Sequence, residues 1–147
     1  MKSITFLLPL IFILLSCEQQ KSIKKSVEVS ADKALIEQTI ENYFTGWITN
    51  DTTKIGSAMD ITCQLKNIKD NKVVIYDRAT YLGFFKPGPP KENSHGKILS
   101  IDITGPIAAA KVKLETPKGL FTDYFNLIKL ENQWYIVDKI STYMAKE

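Results

Sequence analysis

An α+β domain, with helices laid against one side of a mostly antiparallel sheet, follows from three features of the sequence. Residues 31–50 repeat apolar side chains at helical spacing, residues 97–141 alternate with the period of strands, and the turns between those strands are short. The long strands carry more apolar surface than one helix covers unless the sheet curls around it.

The chain opens with Lys2 and an apolar run from Ile4 to Leu15 broken only by Thr5 and Pro9. That run is short of the ~20 residues a membrane-spanning helix needs and fits a secretory segment, residues 1–16. It ends in Leu14-Leu15-Ser16-Cys17, which resembles the lipobox of bacterial lipoproteins. The resemblance implies cleavage before Cys17, acylation of its thiol, and a protein held to the membrane of the bacterial cell envelope by lipid. Residues 17–30, from Cys17 through EQQKSIKKSVEVS, are polar and lack sustained periodicity, so they read as a tether ahead of a domain spanning 31–147.

Charge excludes one class of partner. With 19 Lys and Arg against 16 Asp and Glu, a formal +3, and no basic stripe, the sequence carries no footprint for nucleic acid. With Cys17 lipidated, Cys63 has no internal disulfide partner. It alternates with apolar neighbours in ITCQL and reads as a small buried hydrophobe.

Within the domain, Ile36, Ile40, Tyr43, Phe44, Trp47 and Ile48 form one helical stripe over Ala31–Asn50, with Ser30 or Asp32 to cap its start. Asn50-Asp51 stops it, and Thr52–Met59 gives a short second helix. Strands follow at Ile61–Ile68 and Lys72–Tyr76, joined at Asp70-Asn71. Asp77 caps a third helix, Arg78–Phe85, and the prolines after it place 87–96 in a loop. That loop holds His95, the only histidine, so no His/Cys set for a metal exists and no metal or other cofactor is implied.

Strands Lys97–Thr104 and Ile107–Thr116 flank Gly105-Pro106, setting Leu99, Ile101 and Ile103 opposite Ala108, Ala110 and Val112. The last hairpin, GLFTDYFNLIKLENQWYIVDKIS, turns at Glu131-Asn132, where Asn suits the positive φ of a two-residue turn. If Leu130 faces Gln133, one face carries Phe121, Asp123, Phe125, Leu127, Trp134, Ile136, Asp138 and Ile140. Asp123 and Asp138 are then diagonal neighbours roughly 7–8 Å apart. Carboxylates on an apolar face either find partners, here Lys111, Lys113 or Lys139, or become the shifted acids and bases of a site. Thr116-Pro117-Lys118-Gly119 allows a two-residue turn, which puts Val112 and Leu114 beside Phe121 and Asp123, or a bulged loop that reverses the faces.

Three stretches then resemble a known family: IEQTI through Trp47, KILSIDI at 97–103, and GLFTDYFNLIK at 119–129. They are similar to the putative lumazine-binding family of the nuclear transport factor 2-like superfamily, alongside SnoaL-like proteins and ketosteroid isomerases. The resemblance implies a cone, a bent sheet wrapped around the first helix with a pocket at its open end, commonly in a homodimer. Where relatives often read His-Pro-Asp after the second helix, this chain has Asp60-Ile61-Thr62, which removes an imidazole.

The first functional reading is a module that binds a small, partly apolar ligand, with Tyr43, Trp47, Asp123 and Asp138 as pocket residues. A second is an isomerase, dehydratase or cyclase in which Asp123 or Asp138 takes a proton and Tyr43 or Tyr124 steadies the oxyanion. A third is an interaction role through the outer sheet face, with Tyr124, Ile128 and Tyr135.

Overall fold

The computed structural model describes residues 12–146, with side chains from Val27 onward. The segment read as secretory, up to residue 11, and the thiol of Cys17 lie outside the described residues. Contacts divide the chain at Asp32 into two units, Met1–Asp32 and Lys33–Glu147; the second is the folded domain.

Helix α1 runs Phe12–Thr49, so the segment read as a tether is helical. No proline or glycine interrupts residues 12–45, and the exposed Val27 and Val29 show that tertiary burial is not what holds the segment past residue 26 in a helix. Asn50, at φ 58°, ends the helix. Helix α2, Thr52–Ala58, starts where Asp51 Oδ1 accepts the Thr53 and Lys54 N–H groups at 3.0 and 3.1 Å. Strands β1, Met59–Lys69, and β2, Lys72–Asp77, are joined by Asp70 and Asn71, both left-handed at φ 51° and 60°. Helix α3 is one turn, Arg78–Leu82, shorter than expected because the chain beyond it tightens into turns in which the Phe84 and Phe85 N–H groups donate to the Tyr81 and Leu82 carbonyls at 3.1 and 3.2 Å. Asp77 accepts the Thr80 N–H at 2.7 Å, and that bond holds its carboxyl below the usual carboxylate range.

Strands β3 (His95–Thr104), β4 (Ile107–Thr116), β5 (Gly119–Leu130) and β6 (Gln133–Ala145) form the meander the pattern predicts. The sheet order is β2-β1-β6-β5-β4-β3, antiparallel except where β1 runs parallel to β6. The result is an α+β fold, a six-stranded curved and unclosed sheet against the first helix, as the resemblance implies. Ile36, Ile40, Tyr43 and Phe44 are buried with Val112, Leu114, Phe125, Leu127, Trp134 and Ile136 in one core. Thr39 Oγ1 donates to the Trp134 carbonyl at 3.0 Å, tying helix to sheet.

Several expectations shift in detail. His95 opens β3 and pairs with Glu115 at 3.2 Å, well exposed. The turn residue with positive φ is Glu131, at 56°, in place of Asn132. Thr116 faces Gly119 across a two-residue turn, which settles that hairpin and puts Val112 opposite Asp123. Two bulges matter most. Leu99 is skipped between Ile98↔Val112 and Ser100↔Lys111, so Ile98 turns inward and Leu99 is 40% exposed. Val137 is skipped between Leu127↔Ile136 and Asn126↔Asp138, which reverses every β6 side chain after it.

Candidate functional site

The Val137 bulge decides the floor of the site. Up to it the expected register holds, with Leu130 opposite Gln133 and Trp134 and Ile136 facing the core. After it, Lys139 and Ser141 point inward where Asp138 and Ile140 were expected. Asp138 is turned to the opposite face and paired with Lys66 of β1, while Ile140 is 51% exposed. The two carboxylates are therefore not a pair; one residue too many in β6 separates them by the sheet.

Asp123 is in the interior, 1% exposed. Its Oδ1 accepts the Ser141 hydroxyl at 2.5 Å, and Lys139 Nζ stands 3.0 Å from Oδ2. The pair is buried on both sides, yet Oδ2 receives no hydrogen bond of good geometry, so the contact is an ion pair. Burial pulls the Lys139 ammonium down, but Tyr81 and Asp123 outweigh it and its pKa is raised. The same ammonium lies 5.6 Å from the ring centres of both Tyr43 and Tyr81.

Tyr43 and Tyr81 share a 2.5 Å hydrogen bond between their hydroxyls, joining α1 to α3. Burial, reinforced by Tyr81 and Asp123, raises the Tyr43 phenol well above 10.0. Burial raises Tyr81 as well, against the opposing charge of Lys139. Cys63 is buried beside this cluster, and burial first, then Asp138 and Asp60, pushes its thiol up to about 12. Such a thiol stays protonated and unreactive, as its apolar surroundings in sequence suggested.

A cavity of ≈ 200 Å³ opens over this floor. Asn67, Asp123, Lys139 and Ser141 supply its polar groups, and Trp47, Tyr76, Tyr81, Phe84 and Phe121 its aromatic walls. The walls brace one another edge to face: Trp47 on Phe121 at 5.6 Å, Tyr76 on Phe84 at 5.0 Å. Asn67 Oδ1 is buried without a hydrogen-bond partner.

Of the residues singled out in sequence, Trp47 and Asp123 line this cavity, Tyr43 lies behind Tyr81 in the core, and Asp138 faces away. Tyr124, next to Asp123 in a strand, is on the opposite face, 52% exposed with Lys111 Nζ 5.3 Å from its ring. Sequence reasoning missed Lys139, Ser141, Asn67 and Tyr81. Lys139 stood among the possible partners for the carboxylates; Tyr81 read as core, and nothing local marks Ser141 or Asn67. Among the described residues no cluster of three metal-ligating side chains occurs, and no helix is long and apolar enough to cross a membrane.

A curved sheet around one helix, enclosing a small pocket of mixed polarity, defines the nuclear transport factor 2-like class. Within it, the model of the family described as Putative lumazine-binding matches residues 31–142, and the chain belongs to that family. No curated protein matches it. Solved structures repeat the fold. A nuclear transport factor 2-like protein of unknown function from Shewanella baltica OS155 is similar at a TM-score of 0.73 and 24% identity, over 78% of this chain and 95% of that one. One from Methylobacillus flagellatus KT gives 0.70 and 23%, over 78% and 93%. A ketosteroid isomerase-like protein from Erwinia carotovora atroseptica gives 0.62 and 11%, over 77% and 96%.

Proposed function

We propose that this protein is a lipid-anchored envelope protein whose domain holds a small, partly apolar molecule. The observation that carries the reading is the ≈ 200 Å³ cavity in which a buried ion pair, a serine and an unpartnered amide oxygen meet aromatic walls. Pockets of this make-up bind by burying rings against apolar walls while a few polar groups fix orientation. The volume is below the ~300–1,000 Å³ of drug-sized ligands, so the enclosed part of the ligand is one ring or two fused rings. Lumazine, named in the family's description, is a planar two-ring heterocycle with N–H donors and suits such walls.

Domain 31–147, purified from cells and then denatured, is expected to release a small molecule detectable by mass spectrometry. Ser141→Phe, which fills the cavity, is expected to release none. A wild-type domain that yields nothing contradicts the reading. Anchoring rests on the Leu14-Leu15-Ser16-Cys17 sequence; Cys17→Ser is expected to move the protein from the membrane fraction to the soluble one. The exposed apolar residues of the outer sheet face support a homodimer.

An isomerase or dehydratase reading is favoured by one observation: the buried Asp123 carboxylate shares the cavity with the Tyr81 phenol. It ranks second because a carboxylate that takes a proton must give up its buried ammonium, at a cost of several kcal/mol. Under it, Asp123→Asn abolishes turnover of the bound molecule; under the binding reading there is no turnover to lose.

A further inference from the structure

Two cavities share a wall. Trp47 and Phe121 line the ≈ 200 Å³ chamber over the ion pair and also a larger one of ≈ 440 Å³, lined further by Ser94, Pro117 and Tyr143. The two rings meet 5.6 Å apart, and Phe121 leans on Tyr143 at 4.6 Å. Trp47 is fixed in place: Lys91 donates to its carbonyl at 2.5 Å and holds its ammonium 4.4 Å over the ring. A second anchor is the Lys91 N–H, which donates to the Ile48 carbonyl at 2.8 Å.

The chambers differ in chemistry. The inner one presents a buried acceptor without a partner, Asn67 Oδ1, beside an Asp123 Oδ2 that faces the Lys139 ammonium at 3.0 Å. Buried acceptors are costly unless a donor reaches them. Its charges already cancel, since Lys139 and Asp123 neutralise each other. A charged group entering there would have no counter-ion of its own. The outer chamber is bordered by Lys91, Glu92 and Lys118, but most of its lining surface is apolar, from ring faces and a proline, which favours apolar bulk.

We infer that the ligand is a two-part molecule: a neutral head carrying an O–H or N–H donor seated in the inner chamber, and an elongated apolar body that parts the Phe121 ring from Trp47 to reach the outer one. The inference rests on the small-molecule reading above and deepens it.

The test is a titration of the full-length chain with 4-alkylphenols of increasing chain length and with their methyl ethers, followed by Trp47 fluorescence against the buried Trp134. Affinity for the phenols is expected to rise roughly fourfold per methylene until the outer chamber is full. O-methylation, which removes the donor, is expected to weaken binding roughly tenfold. Ser94→Trp, which fills the outer chamber alone, is expected to flatten the length series. If the phenols bind but chain length or O-methylation has no effect, the two-part inference is overturned and the small-molecule reading stands. If no member binds at millimolar concentration, the two-part inference is overturned, and the small-molecule reading falls with it only if the denatured domain also releases nothing.

Discussion

Asp123, Lys139 and Ser141 form the smallest unit on which the site depends. A carboxylate and an ammonium removed from water hold each other in place, and removing one leaves the other stranded. Asp123→Ala is therefore expected to cost about 3–5 kcal/mol in chemical denaturation, and adding Lys139→Met to recover much of it. Equal losses in the single and double variants would mean the pair is solvated. The pH dependence has a definite sign. Lys139 has a raised pKa in the fold, so its contribution is complete below its ordinary 10.5 and is lost as pH climbs through the raised value. Tyr43 and Tyr81, raised above 10.0 chiefly by burial, act the same way, because above that pH only the unfolded chain can ionise them. Alkaline unfolding is expected to begin above about pH 10. Ultraviolet titration should show these two phenols ionising together with loss of the fold. Their ionisation in a still-folded protein would contradict the burial described.

Among the elements, the bulge in β6 has the largest consequence, and it is also the least legible in sequence. The helix stripe from Ile36 to Trp47, the Asp51 and Asp77 caps, the turn at Asp70-Asn71 and the four-strand meander could all be read, because periodicity and capping chemistry are local. The inward position of Asp123 was readable too, once the 116–119 turn was taken as two residues. Nothing in IVDKIS says that Val137 goes unpaired. A bulge is set by sheet curvature, and one extra residue exchanges the two faces downstream, trading Asp138 and Ile140 for Lys139 and Ser141. The skip at Leu99 is the same event in β3. Curvature also brings β3 against α1, where a Cβ on Gly96 would sit 2.1 Å from the Phe44 ring. Phe44 is buried, so it has little room to give way. Gly96→Ala is expected to cost about 1–3 kcal/mol in thermal or urea unfolding, the usual penalty of overpacking. A neutral substitution would place β3 farther from the helix.

At the scale of the whole molecule, the sheet has an inner face that encloses the cavity and an outer face that is unusually apolar. Ile68, Val73, Tyr124 and Ile140, 78%, 68%, 52% and 51% exposed, line a groove of ≈ 360 Å³ on that outer side. Apolar clusters of this sort on a domain surface mark contact surfaces. For the proposed homodimer, light scattering should give twice the domain mass for the wild type and the single mass for Ile140→Glu; one domain mass in both would leave the groove without a self-partner. The central claim is that the bulge turns residue 141 into a ligand cavity and residue 138 away from it. It is tested most directly by thiol labelling of Ser141→Cys and Asp138→Cys in domain 31–147, where Cys63 is 1% exposed and shielded from the reagent. A small methanethiosulfonate reagent is expected to modify both. Bound alkylphenol should protect position 141 and leave 138 unchanged; protection of 138 with 141 unaffected would contradict the account.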